Sequence, residues 1–402
     1  MTKLGRRDFL AWLTGLGFAH AVVGEPPPAT ASAVRLFLGG DLMSGRAIDQ
    51  ILPFSNPPEI HEPYLHDARD YIALAERRNG PIPSPVTFEY VWGDALAVLA
   101  AMRPEVRIVN LETAITTYDR YLPKGINYRM HPGNIGLLRV AQLDCCVLAN
   151  NHVLDWDVPG LGSTLDTLRA AGIATAGAGP DRATAQAPAV IPLAGGRRVL
   201  VFAFALADSG APRAWNAGDG RPGIALLPDL SPATVASIAR RAAGYRRAGD
   251  LVVLSLHWGG NWGYAIDEAQ RRFAHALIDA AAVDVLHGHS AHHVKGIEVY
   301  RGRPIIYGCG DLLNDYEGIR GYEAYRPDLG LLYFPTLDSL SGRLLRFDLV
   351  PVRRCRLRLQ LADADETAWL HAVLARESAS LATGIHAVDG PMPRLVVETE
   401  SR

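Results

Sequence analysis

The sequence predicts an α/β fold of buried, largely parallel strands with a second sheet packed on the first, and three observations predict it. Short apolar runs alternate with stretches of helical period, five of those runs end on Asp, Glu, Asn or His, and the later chain turns β-rich. Residues 34–38 are the first strand, ending at Gly39-Gly40-Asp41. The second, 105–109, ends at Asn110-Leu111-Glu112, and the third, 143–149, at Asn150-Asn151-His152. Residues 251–256 run into His257-Trp258-Gly259, and 283–287 into Gly288-His289. Helical periodicity lies between them at 93–102, 160–171, 232–248 and 267–282. Further strands are expected at 188–193, 199–206, 294–300, 304–308, 330–335 and 343–352, with 393–398 the last. The Gly-Gly and Arg-Gly pairs at 195–196 and 301–302 supply hairpin turns. The Pro- and Gly-rich stretches 50–66 and 208–224 read as long loops.

Composition bounds the class. With 402 residues, 49% hydrophobic and 20% charged, the chain has ample apolar material for a core, and disorder is excluded as its main state. A formal net charge of −2 argues against a dedicated nucleic-acid binder. Residues 1–33 read as an export signal and linker, and 34–398 as one domain with insertions. Arg6-Arg7-Asp8-Phe9-Leu10 resembles a twin-arginine signal, Ala19-His20-Ala21 offers a cleavage site, and Pro26-Pro27-Pro28 opens the linker. The expected location is therefore periplasmic or extracellular, with the signal segment touching the membrane only during export. Cys145, Cys146, Cys309 and Cys355 show no disulfide-framework spacing and read as buried thiols.

The chemistry gathers at the strand ends. In open α/β sheets, ligands bind outside the carboxyl ends of the strands, so five polar ends point to one site. Six of the 13 histidines fall between 257 and 293. His289 and His292 share a tight Gly-His-Ser-Ala-His-His turn, His257 follows a strand, and Asp41, Glu112 and Asn151 offer oxygens. That mixed N/O set suits one or two divalent ions such as Mn, Zn or Fe. Each residue also has a plain structural role open to it: Asp41 or Glu112 as a cap, His257 as a packed core histidine. His275, mid-helix, reads as packing, and His287 faces away from His289 by simple alternation.

The ordered series Gly40-Asp41-Leu-Met-Ser-Gly-Arg46, Asn110-Leu-Glu112, Ala149-Asn-Asn-His152-Val-Leu-Asp155, His257-Trp-Gly259, Gly288-His-Ser-Ala-His292 and Ile306-Tyr-Gly-Cys-Gly-Asp311 resembles the CapA-type capsule (poly-γ-glutamate) synthesis proteins over roughly residues 34–330. That family in turn resembles the calcineurin-like metallophosphoesterases. The resemblance implies a four-layer α/β/β/α sandwich with a two-metal site. It implies metal ligation by Asp41, Glu112, Asn151, His257, His289 and His292, with Glu112 as the bridging carboxylate. His152 would protonate a leaving oxygen, oriented by Asp155. The histidine of the superfamily's Asp-x-His is Met43 here, and the second histidine of Gly-His-x-His comes one residue late, at His292. Arg46, Lys124 and Arg129 follow motif segments and read as binders of anionic substrate oxygens.

The expected function is that of an exported accessory of poly-γ-glutamate or other polyanion synthesis, with a metal-dependent hydrolase-type centre. Its expected partners are an anionic polymer or phosphoester and other capsule-synthesis proteins, with no nucleic acid. Two alternatives are a non-catalytic polymer-binding or export scaffold, and a secreted phosphodiesterase or nucleotidase unrelated to capsule.

Overall fold

The computed structural model describes residues 32–399; the export signal read in the first residues lies outside them. Among the described residues, ten strands make the larger sheet and six the smaller. The parallel part of the larger sheet runs Ala33–Leu42, Val106–Leu111, Cys145–Val147, Ala174–Ala176 in spatial order. On the other flank of Ala33–Leu42, the strands Leu329–Asp338, Leu344–Arg354, Arg394–Val397 and Ile385–Val388 continue it antiparallel. The smaller sheet has a parallel centre, Arg198–Ala205, Leu251–His257, Val285–His289 and Arg303–Ile306. Its edge strands, Ala189–Pro192 and Ile297–Tyr300, return antiparallel through the turns at 195–196 and 301–302. The protein is a mixed α/β molecule with two main sheets.

The two-residue period of an extended strand sorts both faces of the smaller sheet. Val199, Val201, Ala203 and Ala205 enter the core shared with the larger sheet. Leu200, Phe202 and Phe204 enter a second core, closed by Val235 and Ile238 of the helix Pro232–Tyr245 and by Phe273 and Leu277 of the helix Glu268–Asp279. The first of these helices starts at Ser231, whose Oγ accepts from the Thr234 N–H, with Pro232 at its first position. Against the larger sheet, Asp157–Ala170 packs beside Ala174–Ala176, and Ala95–Met102 beside Leu359–Leu361. The larger core reaches from Val34 to Val397.

One boundary differs in a way that matters. The first strand does not end before Gly39-Gly40-Asp41 but runs through it to Leu42, because the short strand Asp311–Leu313 pairs with it in parallel, Asp41 opposite Asp311. Gly40 makes this approach feasible: a Cβ there would sit 1.8 Å from the Gly310 carbonyl oxygen. The Asp41 N–H donates to that same carbonyl at 3.1 Å. Cys145, Cys146 and Cys309 are buried thiols, and Cys355 is half-buried. No helix among the described residues is long and apolar enough to cross a membrane.

Candidate metal centre

The carboxyl ends of the parallel strands of both sheets meet, and Asp41, Glu112, His257, His289, His292 and Asp311 are all buried there. Two trios have donor atoms within 4.8 Å of one another: Asp41 with His257 and His289, and Asp41 with His292 and Asp311. Asp41 is thus the carboxylate common to both, in place of Glu112, for which the resemblance implied the bridge. Glu112 stands beside the pair, its Oε1 3.8 Å from His257 Nε2 and 3.9 Å from His152 Nε2. Asn110, the last polar residue of its strand, ties the carboxylates together. Its Nδ2 donates to Asp41 Oδ1 at 2.7 Å and to Glu112 Oε2 at 3.3 Å, and Asn150 donates to its Oδ1 at 3.0 Å.

Backbone strain is spent on aiming one more donor. Ser290 has φ of 101°, a region L-residues rarely occupy. Its N–H donates to Asp41 Oδ2 at 3.2 Å and its hydroxyl to the Gly259 carbonyl at 3.0 Å.

A chain of hydrogen bonds sets the histidine tautomers. The Gly39 carbonyl can only accept, so His287 donates from Nε2 at 2.9 Å. Burial pushes the His287 pKa down to about 4, so the ring is neutral and its Nδ1 accepts from the Ser255 hydroxyl at 3.3 Å. Ser255 Oγ then accepts from His289 Nε2 at 2.7 Å, so His287 and His289, two residues apart on one strand, share a face, against the expectation that His287 faces away. That leaves the Nδ1 lone pair of His289 facing Asp41 Oδ1 at 3.8 Å and His257 Nδ1 at 2.8 Å. His257 Nε2 sits 3.1 Å from Asn151 Oδ1, an acceptor, which turns the lone pair of His257 Nδ1 toward the same point. Two nitrogen lone pairs and a carboxylate converging in a buried space are a cation's donor set.

Electrostatics point the same way. Burial, and then the neighbouring Asp311, pushes Asp41 up to about 7. Glu112 is raised well above the usual carboxylate range by burial and by Asp41 and Asp311. Burial holds His257 and His289 well below the ordinary imidazole value, so both are neutral, as metal ligation requires. His292 is raised against its burial because Asp311 Oδ1 lies 2.9 Å from its Nδ1. The cluster is short of positive charge, which a bound cation would supply.

Beside the trios stands a buried pair. His152 Nδ1 is 2.6 Å from Asp155 Oδ2, which also accepts the Tyr128 N–H at 2.7 Å. Lys124 donates to Asp155 Oδ1 at 2.8 Å and to the Asn151 carbonyl, and its Nζ lies 3.1 Å from His152 Nδ1. With Nδ1 engaged by Asp155, His152 Nε2 is the nitrogen turned toward Glu112. Burial, against the pull of Asp155, holds His152 at about 4.

The three cations read as substrate binders are committed inside the protein. Arg46 is fully buried, its guanidinium forked onto Asp315 and donating to Glu62 Oε1 at 2.8 Å. Arg129 donates to the Tyr118 carbonyl at 2.9 Å and lies 3.8 Å above the Trp156 ring. Lys124 serves the His152–Asp155 pair. His275 is structural, 2.9 Å from Glu298 and stacked on Tyr300. Met43, which replaces the expected histidine, is buried under the Tyr316 hydroxyl. The second trio draws Asp311 instead, a residue sequence reasoning quoted but gave no role. The strand-end rule held the signal, since Asp311 follows the end of Arg303–Ile306 by five residues.

All of these site groups fall within residues 35–316, the part of the chain that matches the family described as Bacterial capsule synthesis protein PGA_cap. The chain belongs to that family. A relative from Mycobacterium tuberculosis, "Probable polyglutamine synthesis accessory protein", is 44% identical over 360 residues, 89% of this chain and 94% of its own length. The "PGA biosynthesis protein CapA" of Bacillus subtilis is 23% identical over 78% of this chain and 70% of its own. A solved phosphatase structure from Mycoplasma pneumoniae covers 84% of this chain and 96% of its own at a TM-score of 0.43 and 9% identity.

In this PGA_cap-family chain, the relay behind His289 gives a direct test. Ser255→Ala leaves His289 Nε2 and His287 Nδ1 without their shared partner. The expected outcome is metal affinity weaker by about tenfold to a hundredfold, measured by competition with a chelator. Unchanged affinity would show that Ser255 does not orient the ring.

Proposed function

We propose that this protein is an exported accessory of capsular poly-γ-glutamate synthesis, located in the periplasm or outside the cell, with a metal-dependent hydrolase-type centre arranged as in the metallophosphoesterases. The observation that carries the reading is a pair of buried trios sharing Asp41, with the His152–Asp155 pair alongside. The family and its named relatives support the polymer. The two-sheet core, with helices on the outer face of the smaller sheet and beside the larger, is compatible with the four-layer sandwich.

Asp41, His257 and His289 would hold one ion, and Asp41, His292 and Asp311 a second. Divalent ions held there supply Lewis-acid activation of water and charge stabilisation for an ester or amide under attack. The chain's own residues do the rest. Asp155 fixes the His152 ring through Nδ1 and stabilises its protonated form. Lys124 holds Asp155 in place. An anionic substrate oxygen near Nε2 favours protonation there, lifting His152 from its burial-depressed state so that it can deliver a proton to the leaving oxygen.

The experiment is metal analysis of the purified protein together with turnover of bis(p-nitrophenyl) phosphate and of γ-glutamyl p-nitroanilide. His152→Ala is expected to retain its metal and to lose about 10²- to 10⁴-fold in turnover. A metal-loaded wild type that turns over neither probe would move the reading to a binding scaffold.

A further inference from the structure

Behind the second trio lies a cavity of about 950 Å³, near the top of the ~300–1,000 Å³ range of ligand pockets. Its walls are the last turn of the helix Arg69–Asn79, the segment 314–328, and the strand end at 353–355. Helix and loop are locked together at Gly318, whose φ is +85° and where a Cβ would lie 2.7 Å from the Leu74 carbonyl oxygen. The wall is therefore set by backbone contact rather than by a swinging side chain.

We propose that this cavity binds a polycarboxylate, taking side-chain carboxylates of an anionic polymer on Arg77, Arg78 and Arg320 beside the metal centre. The proposal deepens the function proposed above and rests on it for the identity of the polymer.

Pairing separates the arginines that hold the fold from those left for a ligand. Arg326 is forked onto Asp328, Arg353 reaches Glu366 at 3.3 Å, and Arg354 is saturated by the carbonyls of Asp311, Pro327 and Leu329. The guanidinium groups of Arg77, Arg78 and Arg320 are exposed and make no ion pair or hydrogen bond among the described residues. Arg78 and Arg320 come from separate elements, the helix Arg69–Asn79 and the segment 314–328, yet line the same cavity. The lining sets six arginines against four carboxylates, Glu317, Glu323, Asp328 and Glu366, so it is net positive; Glu323 accepts from the Gly321 N–H and Glu317 from Asn79 and backbone N–H groups. A guanidinium fork matches a carboxylate with two parallel hydrogen bonds, and a row of such forks matches a polymer with one carboxylate per unit.

The cavity also touches the chemistry. Asn314, on its wall, donates to Asp311 Oδ2 at 2.7 Å, and the ring of Tyr316 meets His292 edge-on at 5.3 Å. A polymer held on the arginines would thus lie against residues that support the second trio. This assigns substrate anchoring to a different part of the molecule from Arg46, Lys124 and Arg129, whose charges are spent internally.

The test is binding of fluorescently labelled poly-γ-glutamate to the full-length, metal-loaded protein, followed by anisotropy across a salt series, with polyphosphate as the second polyanion. Arg78→Glu/Arg320→Glu is expected to weaken poly-γ-glutamate binding at least tenfold and to flatten its salt dependence, with metal content and small-probe turnover unchanged. Arg77→Gln/Arg320→Gln, a milder pair at exposed positions, is expected to weaken it in the same direction. Unaltered affinity in both variants, tighter binding of polyphosphate than of poly-γ-glutamate, or no binding by the wild type would each overturn the proposal. Metal content and turnover are read separately, so a failed polymer site is distinguishable from a failed metal centre.

Discussion

Asp41→Asn is expected to abolish metal binding at both proposed sites, whereas Asp311→Asn is expected to spare one. The difference follows from the sharing of one carboxylate. Asp41 belongs to both trios, while Asp311 belongs to the second alone. Asn keeps the size and can accept from either the Ser290 N–H or Asn110 Nδ2, but it turns an amide NH2 toward the other donor and replaces an anionic ligand by a neutral amide between buried groups. At Asp311 the same change also relieves the charge that raises His292, so that site loses an anion and the proton balance of its histidine together. The first site keeps Asp41, His257 and His289, with the tautomer of His289 still fixed through Ser255 and His287. Elemental analysis of the two variants beside the wild type reads the outcome directly. Wild type near two ions per chain, Asp311→Asn near one and Asp41→Asn near none would match the shared-carboxylate geometry. An Asp41→Asn protein that still carries one tightly held ion would show that Asp41 is not the carboxylate shared by the two sites.

How far the site was legible before the structure depended on what each residue's signal was made of. Asp41, Glu112, His257 and His289 were visible because strand ends have a local signature: an apolar run, then a polar residue. Asp311 was not, because its strand is three residues long and forms only by pairing with Asp41 across 270 positions of chain. The same non-locality hid the extension of the first strand through Gly39-Gly40, which alone looks like a turn. Charge was the weakest guide. Arg46 and Arg129 follow motif segments, and nothing local distinguishes an arginine awaiting a substrate from one whose carboxylate partner lies 269 residues away. The helix Ala364–Ala379 is a different case: its capping box, Asp363 with Glu366, is a local signature that the sequence carries by itself.

Arg46→Ala is the expected large stability effect, and its argument lies in burial. The guanidinium sits among Asp315, Glu62 and the rings of Tyr71 and Tyr128, 3.9 Å and 4.6 Å from the two ring centroids. Its own backbone is in the left-handed region, φ 48°, and the next N–H, of Ala47, donates to Asp315 Oδ2 at 3.1 Å. Whether the ion pairs stabilise the fold relative to an apolar replacement is a separate question; burial of such charges costs much of what their attraction returns. Removing one partner is unambiguous, because Asp315 and Glu62 remain buried with their cation gone. The expected loss is about 3–5 kcal/mol, a large share of the roughly 5–15 kcal/mol that holds a domain folded. Urea unfolding should therefore show a markedly lower midpoint for Arg46→Ala, with an unchanged slope. Arg46→Lys should recover little of it, since an ammonium cannot fork onto Asp315 while reaching Glu62. If instead Arg46→Ala unfolded like the wild type and raised only the KM of an anionic substrate, the guanidinium would be a ligand-binding group, and the buried network around it would have to open for substrate to reach it.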